Sequence, residues 1–346
     1  MIYCDENAEL SPVSYFPNRW LSTIIMQWIR RIFLITTLGF GLGQLALAQD
    51  YKGKRVFILH SYDEQYPWTY AIHQIIRSIL TGAEITSQVF YLDTKHHASE
   101  AEKLHSAQQA KLHIEQFKPD VVITSDDDAV KYVLMPYYKN SKIPFVFCGL
   151  NVEPRVYGLP YRNTTGMLEV ELLSKTVKNL QDYTKGQRIG TLALDGFSER
   201  KRVENYREQL GKEVDRSYFS RSVEEWQEGF LRLQHEVDMV ILLNPKGLTG
   251  FDMDEAQDFV ERNIRVPTGS YVPWMSKMSL LGITLIPEEQ GAWAAQAALK
   301  ILSGQEPDKI PITQSKEGKL FINMRIAEKL GITFKSSLLR VAEIIR

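Results

Sequence analysis

The stretch RVFILHSYDEQYPWT, residues 55–69, decides how the whole chain is read. Arg55 to Leu59 is short, apolar and β-branched, as a strand buried on both faces is. It runs into a polar, aromatic, Pro-containing loop. At Trp68 a helical period begins, with Trp68, Ile72, Ile75, Ile76 and Ile79 on one face. Strand, loop and helix together make the first half of a βαβ unit, and the same succession recurs. Strand-like runs follow at Val89–Leu92, Val121–Thr124, Phe145–Cys148, Ile189–Leu194, Met239–Leu243 and Leu280–Leu285. Amphipathic helical patterns lie between them, among them Leu104, Ala107, Ala110, Ile114 and Phe117, and Val223, Trp226, Phe230 and Leu233. Sustained β-α alternation predicts parallel sheets with right-handed crossovers, hence a doubly wound α/β architecture.

The chain has 346 residues, 44% hydrophobic and 24% charged, with a formal net charge of −1. Its length favours two domains. The near balance of charge argues against a nucleic-acid surface, which needs a basic excess. The first 48 residues differ from the rest. Arg30-Arg31 precede an uncharged stretch, Ile32 to Ala48, which closes in Ala46-Leu47-Ala48. That order is an export signal, with cleavage expected after Ala48 and Met26 expected as the true start. An uncleaved anchor is the competing reading. Cys4 lies upstream of the cleavage point, so Cys148 stands alone in the mature chain and no intramolecular disulfide is expected.

A change of texture at EPRVYGLPYRNTTG, residues 153–166, marks a crossing from a first lobe to a second. Beyond Pro273 the pattern predicts a strand at Leu280–Leu285, a helix at Pro287–Leu302, short strands around Ile310 and Phe321, and a last helix from Ser337 to Ile345.

In open α/β sheets ligands bind beyond the carboxyl ends of the strands, where helix N-termini offer N–H groups. Reading only those positions selects Ser61, Tyr62 and Trp68 after the first strand, Ser125 and Asp126 after Val121–Thr124, and Asn151 after Cys148. In the second half it selects Asp195, Asn244, Ser270 and Tyr271. Tyr62, Tyr66 and Trp68 can sandwich an organic ligand at the sheet mouth. Trp68 reads equally well as the first core residue of its helix. One residue of Ser125–Asp128 serves as an ordinary N-cap. Three successive carboxylates exceed what a cap requires, which leaves one to pair with a ligand ammonium. His96, His97, His105 and His113 lack metal-ligand spacing, and no calcium-loop pattern is present, so no metal is expected. Cys148 reads as a buried free thiol. No GxSxG, HExxH or P-loop pattern appears, and neither catalysis nor a cofactor is expected.

HSYDEQYPWT (60–69), IPFVFCGLNVEP (143–154), NTTGMLE (163–169), GAWAAQAALKILSGQEPDKIPI (291–312) and the tail FINMRIAEKLGITFKSSLLRVAEII (321–345) resemble the ABC transporter substrate-binding protein family, of type I periplasmic-binding-protein fold. Characterised relatives bind aromatic amino acids. The resemblance implies two Rossmann-like lobes joined by a three-crossover hinge, residues 51–160 with 280–312 and residues 163–279 with 315–346. The ligand would be caught between them. It implies a periplasmic, monomeric binding protein that delivers a small organic solute to a membrane permease. Two other readings stay open: a sensor subunit engaging a membrane kinase or cyclase, and a cleft enzyme using Asp126 and Asp127. In the amino-acid binders a small-residue turn takes the ligand carboxylate, whereas this chain has Ser125-Asp126-Asp127. That departure leaves room for a neutral or cationic ligand.

Overall fold

A computed structural model describes residues 51–346, apart from 152 and 246 and the side chains at 197 and 198. The expected export signal, its cleavage after Ala48, the start at Met26, and Cys4 lie outside the described residues. Among the described residues no helix is long and apolar enough to cross a membrane.

The first sheet contains β1 (Arg55–His60), β2 (Thr86–Tyr91), β3 (Val121–Ser125), β4 (Phe145–Leu150), β5 (Thr164–Leu168) and the late strand β11 (Thr313–Gln314). Its order is β11-β5-β4-β3-β1-β2, and every pair in it is parallel. The second contains β6 (Ile189–Leu194), β7 (Arg216–Ser220), β8 (Met239–Leu242), β9 (Thr268–Gly269), β10 (Leu281–Leu285), β12 (Gly318–Asn323) and β13 (Glu343–Ile345). Its order is β13-β12-β10-β9-β8-β6-β7, with β10 and β12 antiparallel and the other pairs parallel. The helices used below are α1 (Pro67–Gly82), α2 (Glu100–Phe117), α3 (Asp126–Ala129), α4 (Leu173–Gln181), α5 (Phe197–Leu210), α6 (Val223–Glu236), α7 (Met253–Asn263), α8 (Pro287–Leu302) and α9 (Met324–Leu330).

Strand periodicity sorts the first core into two layers. Val56 and Ile58 pack with Ile72, Ile76 and Leu80 of α1 and the alanine-rich face of α8. Phe57 and Leu59 point the other way, onto Ala107, Ala110 and Ile114 of α2. Helices therefore cover both faces, which is why β1, β3 and β4 are apolar along almost their whole length. The second sheet is held in one core with Leu173, Val177 and Leu180 of α4 and Trp226, Phe230 and Leu233 of α6.

Three expected assignments need correction. The segment read as the crossing carries β5, which pairs in parallel with β4, so the first sheet runs on to Leu168. Its threonines hid it, because Thr164 and Thr165 are fully buried and the Thr165 hydroxyl donates to the Ile310 carbonyl at 2.7 Å. Gly166 is required there, since a Cβ would lie 2.1 Å from the Phe147 ring. Leu281–Leu285, assigned by the sequence to the first lobe, pairs with β9 and β12 in the second sheet. The expected last helix is a short turn, Ser336–Leu339, followed by β13, whose Ile344 pairs beside Ile322.

Three passages join the sheets, and all three lie at carboxyl rims. From the end of β5 only residues 169–172 lead to α4, which packs under the second sheet. From the end of β10, Ile286 alone leads to α8, which packs under the first. After β11, residues 315–317 lead to Gly318, which pairs with Leu285 at the end of β10. Connections this short bring the carboxyl ends of the two sheets together.

Candidate functional site

In each sheet the winding direction reverses beside its first strand, between β1 and β3 and between β6 and β8. These are the topological switch points at which α/β sheets bind ligands. Ser61, Tyr62, Ser125 and Asp126 stand at the first, Asp195 and Asn244 at the second.

Several of the expected ligand groups turn inward to the protein. The Ser61 hydroxyl donates to the Ser125 carbonyl at 2.7 Å and accepts the Ala129 N–H at 2.8 Å, so it ties β1 to β3 and caps the helix that follows. The Ser125 hydroxyl is 2.7 Å from His60 Nδ1, and His60 Nε2 is 3.1 Å from His73 Nδ1. Burial, with His73 adding to it, pushes the His60 pKa down to about 3. His60 also stacks on Tyr91 at 5.2 Å. The Ser270 hydroxyl donates to the Leu242 carbonyl and accepts the Val272 N–H. Asp195 accepts from Arg200 and Arg221, each at 2.7 Å, and all three line a cavity of about 320 Å³ together with Phe219 and Glu225. Trp68 packs against the core under α1, and its indole N–H is buried without a hydrogen-bond partner.

Asp126 is different. It is 2% exposed, and its Oδ2 has no hydrogen-bond partner. Its φ of 66° lies in the left-handed region, which an L-residue other than Asn or Asp rarely occupies. Gly149, on the loop after β4, leaves room beside it, since a Cβ there would stand 3.3 Å from Asp126 Oδ1. Burial pushes the Asp126 pKa up to about 8; the Ser125 hydroxyl pulls it down and Asp127 adds to the rise. Asp127 is engaged, accepting from the Asn151 N–H at 3.1 Å, its side-chain amide at 3.4 Å and the Tyr157 hydroxyl at 2.9 Å. Asp128 pairs with Lys103 at 3.1 Å. Tyr62 and Tyr66 meet edge to face at 5.2 Å, and Lys95 Nζ lies 4.1 and 4.4 Å over their rings.

Sequence reasoning missed the groups on the first passage. Glu169 follows β5 directly; burial, then the Asp126, Glu171 and Asp127 carboxyls, hold its pKa well above the usual range, and Arg202 opposes them only in part. On the second-sheet side, Arg202 of α5 binds Glu171 at 2.9 Å and Glu199 at 2.8 Å and faces the Tyr271 ring at 5.7 Å. Glu169 therefore sits between the acidic turn of one rim and the Arg202 cluster of the other. Gln290, 1% exposed on α8, was missed as well. Its carbonyl accepts the Gly149 N–H at 2.9 Å, while its amide donates to the Leu168 carbonyl at 3.2 Å and the Ser315 hydroxyl at 2.9 Å. A single side chain, on the helix that the second passage leads into, thus ties the end of β5 to the third passage and to the loop beside Asp126.

A second cavity, of about 460 Å³, is lined by Met324, Arg325, Glu328, Leu339, Ile344 and Arg346. Neither cavity includes Asp126 or Glu169. Cys148 is buried and free, and burial raises its thiol pKa well above the usual value.

Residues 278–345 match the family model described as ABC transporter substrate binding protein. That segment includes the second and third passages and Gln290. Comparison with curated proteins finds no match. Among solved structures, the chain is similar to the ligand-free, open structure of a substrate binding protein with adhesive properties from Clostridium difficile, at 16% identity and a TM-score of 0.66, covering 85% of this chain and 99% of that one. It is also similar to an ABC domain in complex with L-Trp from Streptococcus pneumonia, at 18% identity and a TM-score of 0.54, over 84% and 100% of the two chains. A conserved domain protein from Vibrio cholerae gives 16% identity and 0.53, over 85% and 100%. The chain thus has the type I periplasmic-binding-protein fold expected from its sequence, and its residues 278–345 carry the signature of the ABC transporter substrate binding proteins.

Proposed function

We propose that this chain is an exported, non-catalytic solute-binding protein that closes its two rims over a small organic ligand and presents the closed form to an ABC-type permease. The observation that carries this reading is the placement of all three passages at the carboxyl rims, with Asp126 buried and Glu169 half-buried where they meet. Tyr62, Asp126 and Asn151 would face the ligand from the first rim, and Asn244 and Tyr271 from the second. Closure requires tighter binding to the closed state than to the open one. Thermal melting across a panel of amines, amino acids and sugars, with small-angle scattering on any stabilising solute, tests the reading. Stabilisation accompanied by a smaller radius of gyration is the expected result. No stabilisation by any compound, or binding without compaction, overturns it.

A further inference from the structure

We propose that the solute received at the rim junction carries a positively charged nitrogen on an aromatic or apolar body and no carboxylate, and that Asp126 receives the nitrogen with Glu169 beside it. The inference rests on the solute-binding reading and names the class of ligand.

The first observation is the orphaned carboxyl oxygen of Asp126, in a residue 2% exposed and turned by a left-handed backbone. A buried polar atom without a partner is rare, and at a ligand site the ligand is its natural partner. The second is the balance of charge around it. Asp127 and Asp128 extend the same turn, Glu169 and Glu171 approach along the first passage, and two of the nearby cations are already paired with carboxylates. Arg202 is held by Glu171 and Glu199, and Lys103 by Asp128. The third is Lys95, whose ammonium lies over both Tyr62 and Tyr66 and attracts Asp126. The protein's own amine rests against the aromatic pair, as a ligand cation would. The fourth concerns donors. The Ser61 and Ser125 hydroxyls, best placed to bind a ligand carboxylate at this turn, are taken up by Ala129, the Ser125 carbonyl and His60.

The charged and titratable groups that act on Asp126 come from several elements: Asp127 and Asp128 from its own helix, Tyr62 from the loop after β1, and Lys95 from the loop after β2. Cys148 on β4 and Glu169 after β5 complete the set. With its carboxyl protonated up to about pH 8, Asp126 must release a proton to pair with a cation. Binding of an amine is therefore coupled to proton release.

Paired probes that differ only by a carboxylate decide the matter: tryptamine against L-tryptophan and tyramine against L-tyrosine, titrated calorimetrically into the full chain at pH 6.5 and 7.5 in buffers of different ionisation enthalpy. The amines should bind at least about tenfold tighter than their amino acids, with about one proton released and affinity rising about tenfold per pH unit. Asp126→Asn, whose amide tolerates the left-handed backbone, should still fold and be no less stable than wild type at pH 8, while it weakens the amine and abolishes the pH dependence of binding. Lys95→Met should tighten the amine by emptying the aromatic pair. Amino acids binding as well as amines, pH-independent affinity, or an unaffected Asp126→Asn variant overturns the ligand class and leaves the solute-binding reading standing. A neutral solute bound with compaction while the amines fail has the same meaning. Failure of every amine, amino acid and sugar overturns both.

Discussion

Replacing Gln290 with leucine tests whether one side chain on α8 holds the end of β5, the third passage and the Gly149 loop in register. The substitution conserves bulk and removes three hydrogen bonds, to Gly149, Leu168 and Ser315. Each is worth about 1 kcal/mol net, and the stranded Gly149 N–H adds a desolvation cost of about 1–3 kcal/mol, for a total of about 4–6 kcal/mol. Gly149 has a φ of 67° and no alternative partner within its buried turn among the hydrogen bonds described, so relaxation does not recover the loss cheaply. Urea denaturation followed by far-UV circular dichroism and tryptophan fluorescence measures it, the coincidence of the two probes checking two-state behaviour. Ser315→Ala removes the amide-to-hydroxyl arm together with a long, weak donation from the Ser315 hydroxyl to the Leu168 carbonyl at 3.4 Å, and should cost about 1 kcal/mol. The double variant should then be no less stable than Gln290→Leu by more than a few tenths of a kcal/mol, because the shared bond is already gone. A loss below about 1 kcal/mol for Gln290→Leu, or costs that simply add in the double variant, would show that the passages are held by something other than this node.

Two buried groups in the first lobe give stability opposite dependences on pH. Asp126 binds its proton more tightly folded than unfolded, between the ordinary 3.8 and about 8, so its contribution falls as pH rises through that window, by at most about 1.4 kcal/mol per unit. His60 binds its proton less tightly folded, between about 3 and 6.5, so its contribution falls as pH drops below 6.5. Between pH 6.5 and 8 His60 no longer contributes and the Asp126 slope runs in the same direction as that of Glu169, whose pKa is also raised, so ligand-free Asp126→Asn should be flatter there and more stable than wild type at pH 8. Equal slopes in urea-melt series at several pH values would refute this. Ser61→Ala should cost about 2–3 kcal/mol by stranding the Ala129 N–H. Melting should shift while calorimetric affinity of the folded protein changes by less than a factor of about three; a large affinity loss without destabilisation would make Ser61 a ligand contact.

The fold was legible wherever a strand is buried on both faces, because burial on both faces leaves an uninterrupted apolar run. Arg55–His60, Val121–Ser125 and Phe145–Leu150 are of this kind. It was illegible where pairing replaces hydrophobicity as the signal. Thr164–Leu168 is buried through threonines whose hydroxyls find partners, Arg216–Ser220 is a partly exposed edge strand, and Thr268–Gly269 is only two residues long. The site divides along the same line. Topology alone placed Ser61, Ser125 and Asp126 at the switch point, since strand order decides which loops gather there. What those side chains do depends on partners distant in sequence. Ser61 meets Ala129 at a separation of 68 residues, and Gln290 meets Gly149 and Leu168 at 141 and 122. No local pattern encodes such contacts, so a serine that looked like a donor to a ligand is a donor to the neighbouring strand, and a glutamine on an alanine-rich helix ties the end of β5 to Ser315 and to the loop beside Asp126. Glu169 escaped for a related reason. A carboxylate after an unrecognised strand reads as loop surface, and only once β5 is known to end at Leu168 does Glu169 fall at the carboxyl rim beside Asp126. The acidic character of the junction thus follows from pairing rather than composition: in a chain of net charge −1, strand pairing brings Glu169 to the rim that already carries Asp126, Asp127 and Asp128.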